Sequence, residues 1–351
     1  MSMSAENSFA PQATRRPWWL RIIRALAWSI LGLALLLTAA WEIGAICFDA
    51  PLGAANTLAA IMFGIVLIVV LVAVRPVKVK LAVWTGIFGI VVLTWLSQKP
   101  RGDRRWQPDV AQTAWADIQD DTITLHNVRN CDYRTETDYT PRWETRTLQL
   151  SKLTGFDLAI CYWGSPWMAH PILSFQFDGA PPVCFSIETR KEVGESYSAL
   201  GGLYRQFELI YVVADERDVL RLRTNIRKGE DVYLYRTTAS ADEARARFME
   251  YLITLNSLHQ QPRWYHAIAT NCTTAIRSQR ASGARLEWDW RFLVNGKADE
   301  MLFERGILSH PGLTFAELKK RSLINRDAKS ANRADDFSDR IRKYLPRVSK
   351  D

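Results

Sequence analysis

His170-Pro-Ile-Leu-Ser-Phe-Gln-Phe-Asp-Gly-Ala-Pro-Pro-Val-Cys-Phe-Ser-Ile-Glu-Thr-Arg190 is the stretch on which the fold turns. Leu173, Phe175 and Phe177 are apolar at period two, as are Val183, Phe185 and Ile187, with Asp178 and Gly179 between the two sets. That alternation marks two antiparallel strands sharing one buried face. The other face then carries His170, Ile172, Ser174 and Gln176 from the first strand, and Cys184, Ser186, Glu188 and Arg190 from the second. With the apolar sets opposed, Glu188 falls opposite Ile172 and diagonal to His170, within side-chain reach.

Further strands are expected on either side of this hairpin. Ile123–Val128 and Arg146–Leu150 alternate, Phe156–Trp163 is an apolar strand, and Arg205–Val213 and Asp231–Tyr235 follow. A helix is expected from Ser240 to about Leu258, opened by a capping box of Ser240 and Glu243, with Phe248, Leu252 and Leu255 on its apolar face. Strands first and helices afterwards define an α+β domain. Ala331 to Tyr344 is densely charged and reads as a surface helix or frayed tail.

Upstream the composition changes. Ala25–Cys47, Thr57–Val74 and Leu81–Ser97 are apolar stretches, each close to the roughly 20 residues a helix needs to cross a bilayer. They carry almost no polar stripe, and Trp18, Trp19, Trp28, Trp41 and Trp95 lie near their ends, where indoles favour the interface. Arg15, Arg16, Arg21 and Arg24 precede the first span, and Arg75, Lys78 and Lys80 fill the second loop, whereas Phe48–Asn56 has no positive charge. The positive-inside rule therefore keeps the N-terminus in the cytoplasm and sends everything after Ser97 across the membrane, against the pull of Lys99, Arg101, Arg104 and Arg105. A cleaved signal peptide is the competing reading of the first span, but that span is long for one and two more follow. Glu42, close to the outer end, reads as a solvated interfacial carboxylate. The expected organisation is a cytoplasmic tail over 1–24, three transmembrane helices over 25–97, a polar linker over 98–117, the globular domain over 118–325 and a charged tail over 326–351.

The net charge of +8 is scattered, and no helix-turn-helix, zinc-finger or RNP motif accompanies it, so no nucleic-acid partner is expected. A positive balance suits anionic lipid surfaces. The five cysteines are Cys47, Cys131, Cys161, Cys184 and Cys272, and none has C-x-x-C spacing, so neither a metal nor a cofactor is expected. Cys131, Cys161 and Cys184 fit either a disulfide or free buried thiols. Arg129, Arg134, Arg142 and Arg190 fit either anion contacts or solvated surface positions.

Asn271-Cys272-Thr273-Thr274 is the segment richest in chemistry. Asn271 is a good helix N-cap, which puts Cys272 in the first turn, where free amides and the helix dipole favour a thiolate. Asn271 and the first-turn amides at Thr273 would support an oxyanion. His170 is the candidate base, with Glu188 to orient it, and His266 is its rival. The same residues also fit a small buried cysteine and a satisfied edge histidine. His126, His259 and His310 read as surface or turn residues, and Cys161 and Cys184 as core.

Several stretches resemble the Lnb-type N-terminal periplasmic domain. They are Tyr133-Arg-Thr-Glu-Thr-Asp-Tyr-Thr-Pro-Arg-Trp143, His170-Pro-Ile-Leu-Ser-Phe175, Phe185-Ser-Ile-Glu-Thr-Arg190, Tyr211, Asp215-Glu-Arg-Asp218 and Asn271-Cys-Thr-Thr274, in the family's order and over about residues 118–325. The resemblance implies a permuted papain-like, NlpC-type fold with an antiparallel sheet, related to lecithin–retinol acyltransferase, in which histidine precedes cysteine. It implies Cys272 as nucleophile, His170 as base and Glu188 as third member, in a periplasmic domain held at a bacterial inner membrane. The family prototype is associated with lipoprotein N-acylation. Its longer members carry membrane helices after the domain, whereas here three precede it. The leading expectation is a Cys–His thiol acyltransferase or hydrolase acting on lipoprotein or lipid-linked acyl groups, with inner-membrane lipids as neighbours. A cell-wall or protein peptidase or amidase, and a non-catalytic envelope binding module, are the alternatives.

Overall fold

The structure is a computed structural model that describes residues 17–267, 289–292 and 295–346. The chain divides into two compact units, Met1–Gln98 and Lys99–Asp351.

The first unit holds α1 (Trp18–Asp49), α2 (Asn56–Ala73) and α3 (Val77–Ser97), three segments long and apolar enough to cross a membrane. Leu36, Leu37, Ile61, Ile68, Val72 and Ile90 stand exposed on their outer sides, an arrangement that suits lipid rather than water. Internal polar groups pair across helices: Trp84 Nε1 donates to Thr38 Oγ1 at 3.0 Å, and Trp95 Nε1 to Asp49 Oδ2 at 2.6 Å. Glu42 corrects the expectation of a solvated carboxylate, because it is fully buried. The cause is helical period: Leu35, Ala39, Glu42 and Ala45 recur every three or four residues along the side of α1 that is turned inward.

The second unit is built on one large sheet. Its strands are β1 (Trp115–Gln119), β2 (Thr122–Arg129), β5 (Trp143–Gln149), β6 (Leu153–Trp163), β7 (Ala169–Phe177), β8 (Ala180–Arg190), β9 (Glu208–Asp215) and β10 (Glu230–Arg236). A small separate ladder joins β3 (Asp132–Tyr133) to β4 (Tyr139–Thr140). The order across the large sheet is β1-β2-β9-β8-β7-β6-β10, with β5 also paired to β2, and every pairing is antiparallel except β2 with β9. The α+β expectation therefore holds.

Both faces of the sheet are covered. On one face Leu173, Phe175, Phe177, Val183, Phe185 and Ile187 meet Phe248, Tyr251, Leu252 and Leu255 of α5 (Ala241–Gln260). Phe175 sits at the centre, with ring centroids 5.6 Å from Phe185 and 5.0 Å from Phe248, both edge-on, the arrangement aromatic quadrupoles prefer. The capping box forms as read: Ser240 Oγ accepts from Glu243 N, and Glu243 Oε2 accepts from Ser240 N.

The second face is buried as well, which the sequence did not suggest. Ile172, Cys184, Ile210, Val212 and Val232 lie beneath α4 (Glu216–Arg221), a π-helical turn over Leu222–Ile226, α8 (Asn325–Ala331) and α9 (Phe337–Arg340). Between α5 and α8 run α6 (Ala298–Glu304) and α7 (Phe315–Ser322). The expected charged tail over 326–351 is thus corrected: Ala328, Ala331, Phe337, Ile341 and Leu345 are buried. Charge misled the reading because Arg342 itself points inward, donating to Asp157 at 2.9 Å and to Glu216 at 2.5 Å. The expected linker over 98–117 is corrected too. Val110 is buried, Gln107 N donates to Lys191 O and Val193 N to Arg105 O, and residues 115–119 form β1.

Because Arg342, Asp157 and Glu216 are nearly all out of water, removing the cation leaves two carboxylates uncompensated. Arg342→Met is expected to lower stability by about 3 kcal/mol or more, read from the denaturant midpoint of the full chain in detergent. An unchanged midpoint contradicts the pairing.

Candidate functional site

The β7–β8 hairpin turns tightly at Asp178 and Gly179, whose φ of +76° suits glycine. Phe177 pairs with Ala180 and Phe175 with Val183, so Pro181 and Pro182 together oppose the single Gln176, a bulge where missing N–H groups do no harm. This sets Ile172 opposite Ser186, two residues from the register read in the sequence, in which Ile172 faced Glu188. Continuing the observed pairing puts His170 level with Glu188 and makes Ser186 the diagonal neighbour.

The side chains follow that geometry. His170 Nε2 lies 2.7 Å from Ser186 Oγ, Ser186 Oγ donates to Glu188 Oε1 at 2.6 Å, and the ring nitrogen is 3.9 Å from the carboxylate. Arg223, from the π-helical turn, donates to Glu188 Oε1 at 3.4 Å and to Glu230 Oε2 at 3.2 Å. His170 is 9% exposed, and burial, helped by Arg223 and Arg227 and opposed by Glu188, lowers its pKa to about 3. For Glu188, burial raises the pKa, but Arg223, Arg129, His170 and the Ser186 hydrogen bond together hold it below the usual carboxylate range. The imidazole is therefore neutral and the carboxylate ionised.

Proton direction follows from that state. An ionised carboxylate only accepts, so the Ser186 hydroxyl points its hydrogen at Glu188. Ser186 Oγ then accepts from His170, which puts the ring proton on Nε2 and leaves the lone pair on Nδ1. The arrangement is a neutral imidazole held in one orientation. Sequence reasoning found His170 and Glu188 but gave Ser186 no role and missed Arg223, which no local motif announces.

The remaining candidates are spread differently. Asn271, Cys272 and Thr273 lie outside the described residues. His266 is half-buried in the chain after α5. His126 stacks on Trp115, His259 contacts Thr113 Oγ1 and His310 lies against Phe303. Cys161 pairs across the strands with His170, yet it is fully buried and desolvation pushes its thiol up to about 12. Cys131, Cys161 and Cys184 are free thiols. Arg129 and Arg190 are buried rather than solvated: the first pairs with Asp218, the second donates to the carbonyls of Val110 and Ala111 and stacks on Trp106.

Two anchors border the segment that contains Cys272. Ala267 N donates to Gly202 O, just ahead of β9, and Gly296 N donates to Trp167 O, just ahead of β7. Gly296 is required there, since a Cβ would come within 2.2 Å of Pro166 O. Both anchors lie at the end of the sheet where His170 begins β7.

A histidine held neutral by burial has a stability signature. Its folded pKa of about 3 lies below the ordinary 6.5, so the unfolded chain binds the proton first and stability falls as pH drops from about 6.5 towards 3. His170→Asn is expected to narrow the difference between the unfolding midpoints at pH 7 and pH 5. A variant as acid-sensitive as the wild type contradicts the burial of a neutral ring.

Residues 139–295 match the family model described as the Lnb N-terminal periplasmic domain. The match spans the hairpin with His170, Ser186 and Glu188 and extends past Cys272, within the 118–325 range expected from sequence. Among curated proteins and among solved structures, none matches the chain. Residues 139–295, in the second unit, therefore carry the Lnb N-terminal periplasmic domain.

Proposed function

We propose that the periplasmic domain is a thiol enzyme at the outer face of the inner membrane, with Cys272 as nucleophile and His170 as base. The observation that supports this reading is at one end of the sheet: Ala267 and Gly296, described residues before and after Cys272 in the chain, are hydrogen-bonded to Gly202 and Trp167, at the end where His170 begins β7. Cys272 is five positions on from Ala267, a reach of up to about 17 Å. The permuted papain-like arrangement implied by the resemblance uses the same order, histidine before cysteine.

In the first step, Nδ1 takes the Cys272 thiol proton as sulfur attacks the carbonyl carbon of an ester or amide, and the tetrahedral oxyanion forms. Asn271 and the amides at Thr273 would stabilise that oxyanion. The imidazolium then protonates the departing oxygen or nitrogen, leaving an acyl thioester. An amine or water attacks in turn, gives its proton to Nδ1 and releases the acyl product and the thiol. Three membrane-crossing helices in the same chain favour a lipoprotein or other lipid-linked acyl donor, because they confine the domain to the bilayer surface.

The test is labelling of the full-length protein in membranes with an electrophilic thiol probe, followed by mass analysis of Cys272. Labelling is expected to disappear in Cys272→Ala and to slow by about 10²-fold or more in His170→Ala. An acyl mass on Cys272 corresponding to a lipid chain supports the acyltransferase. Cleavage of a peptide with no such adduct moves the assignment to a peptidase or amidase, and a Cys272→Ser protein that sustains the cellular phenotype makes the domain a binding module.

A further inference from the structure

The relay from His170 to Glu188 ends in a cation that the strand pattern did not foretell. Arg223 sits in the π-helical turn over Leu222–Ile226, closed by Arg227 N donating to Leu222 O at 2.8 Å, a widened turn that recurs at functional sites. Its side chain is 7% exposed and bridges Glu188 to Glu230, whose second oxygen is held by Arg227 at 3.3 Å.

We propose that Arg223 is the positioning residue of this relay: paired with Glu188, it keeps that carboxylate a pure acceptor, and so holds the His170 proton on Nε2 and the lone pair on Nδ1. The role rests on the reading of His170 as base, but the proton position it predicts can be observed without any activity.

The direction of the hydrogen bonds decides the tautomer. Were Glu188 protonated, its O–H would donate to Ser186, Ser186 would donate to the ring, and Nε2 would have to carry the lone pair. Nδ1 would then bear the hydrogen and be useless as a base. A guanidinium keeps a fixed charge and a planar fork of donors, so it excludes the protonated carboxyl across the physiological range. Among the described residues, the other cations near the pair are held by different carboxylates. Arg129 on β2 is held in a fork by Asp218. Cys161 on β6 is a buried neutral thiol opposite His170. Glu230 on β10 carries the same sign as Glu188, and Arg227 is spent on Glu230. Among the described residues, Arg223 is the cation in direct contact with Glu188.

The experiment is nitrogen NMR of full-length protein labelled with ¹⁵N-histidine in detergent micelles, with His170→Asn to assign the signal, across pH 5 to 8. The wild type is expected to show His170 as the Nε2–H tautomer with no protonation step. Arg223→Gln is expected to mix the Nδ1–H and Nε2–H tautomers. Arg223→Lys, which keeps the charge, is expected to retain the wild-type tautomer, so lost packing is told apart from lost charge. Circular dichroism on each variant identifies unfolded protein, and Glu188→Gln, which is expected to lose the tautomer preference with Arg223 in place, supplies the second variant. A wild-type Nδ1–H tautomer, or an Arg223→Gln spectrum like the wild type's, overturns the proposal. The NMR result as expected, together with a Cys272 alkylation rate indifferent to His170→Asn, upholds the role of Arg223 and removes the enzymatic reading instead.

Discussion

Desolvation of the second face of the sheet is the constraint on which the rest of this domain depends. A strand buried on one side can leave polar residues in water on the other; here that option is closed by α4, the π-helical turn, α8 and α9. Every charge carried there loses hydration worth several kcal/mol, so charges persist only where a partner stands within reach. The result is a layer of pairs and triples: Arg129 with Asp218, Arg342 with Asp157 and Glu216, Arg223 with Glu188 and Glu230. Ser174 joins this layer by donating to Glu216. These contacts add little net stability over an apolar core of the same shape, but breaking any one is expensive. What they secure is a fixed direction for each donor and acceptor.

The same desolvation explains why the sequence revealed one half of the fold more readily than the other. Period two in Leu173–Phe177 and Val183–Ile187, and the Ser240–Glu243 capping box, are local signals, and the structure follows them. The covering of the opposite face is not local. It depends on Arg342 finding Asp157 far away in the chain, and a segment as charged as Ala331–Tyr344 resembles a solvated surface until its partners are known. The register error has a similar origin. Alternation fixed which residues share a face, but only the turn geometry and the opposition of Pro181 and Pro182 to Gln176 fix which residues lie opposite.

The candidate site divides along the same line. His170 and Glu188 were legible because strand alternation puts them on one face at neighbouring positions. Ser186 was visible on that face yet had no role until the register was known, since only the observed pairing puts it between ring and carboxylate. Arg223 lies in a turn after β9, and nothing in the chain near residue 223 points to residue 188.

The neutral imidazole also bears on how a thiol would be used here. A preformed thiolate–imidazolium pair needs a ring that gains its proton near neutrality, whereas burial, Arg223 and Arg227 all press His170 the other way. A sulfur beside it would rest as a thiol, and its proton would move to Nδ1 only as the new carbon–sulfur bond formed. Glu188 cannot remove that cost alone, because its charge is shared with Arg223 through the contact that orients it. The geometry thus trades resting nucleophilicity for direction: a weakly basic ring that is always unprotonated, always in one tautomer, and presents the same nitrogen to whatever enters. Under the proposed function, a thiol that stays protonated until its substrate arrives would also resist oxidation between turnovers, since thiolate character governs that chemistry.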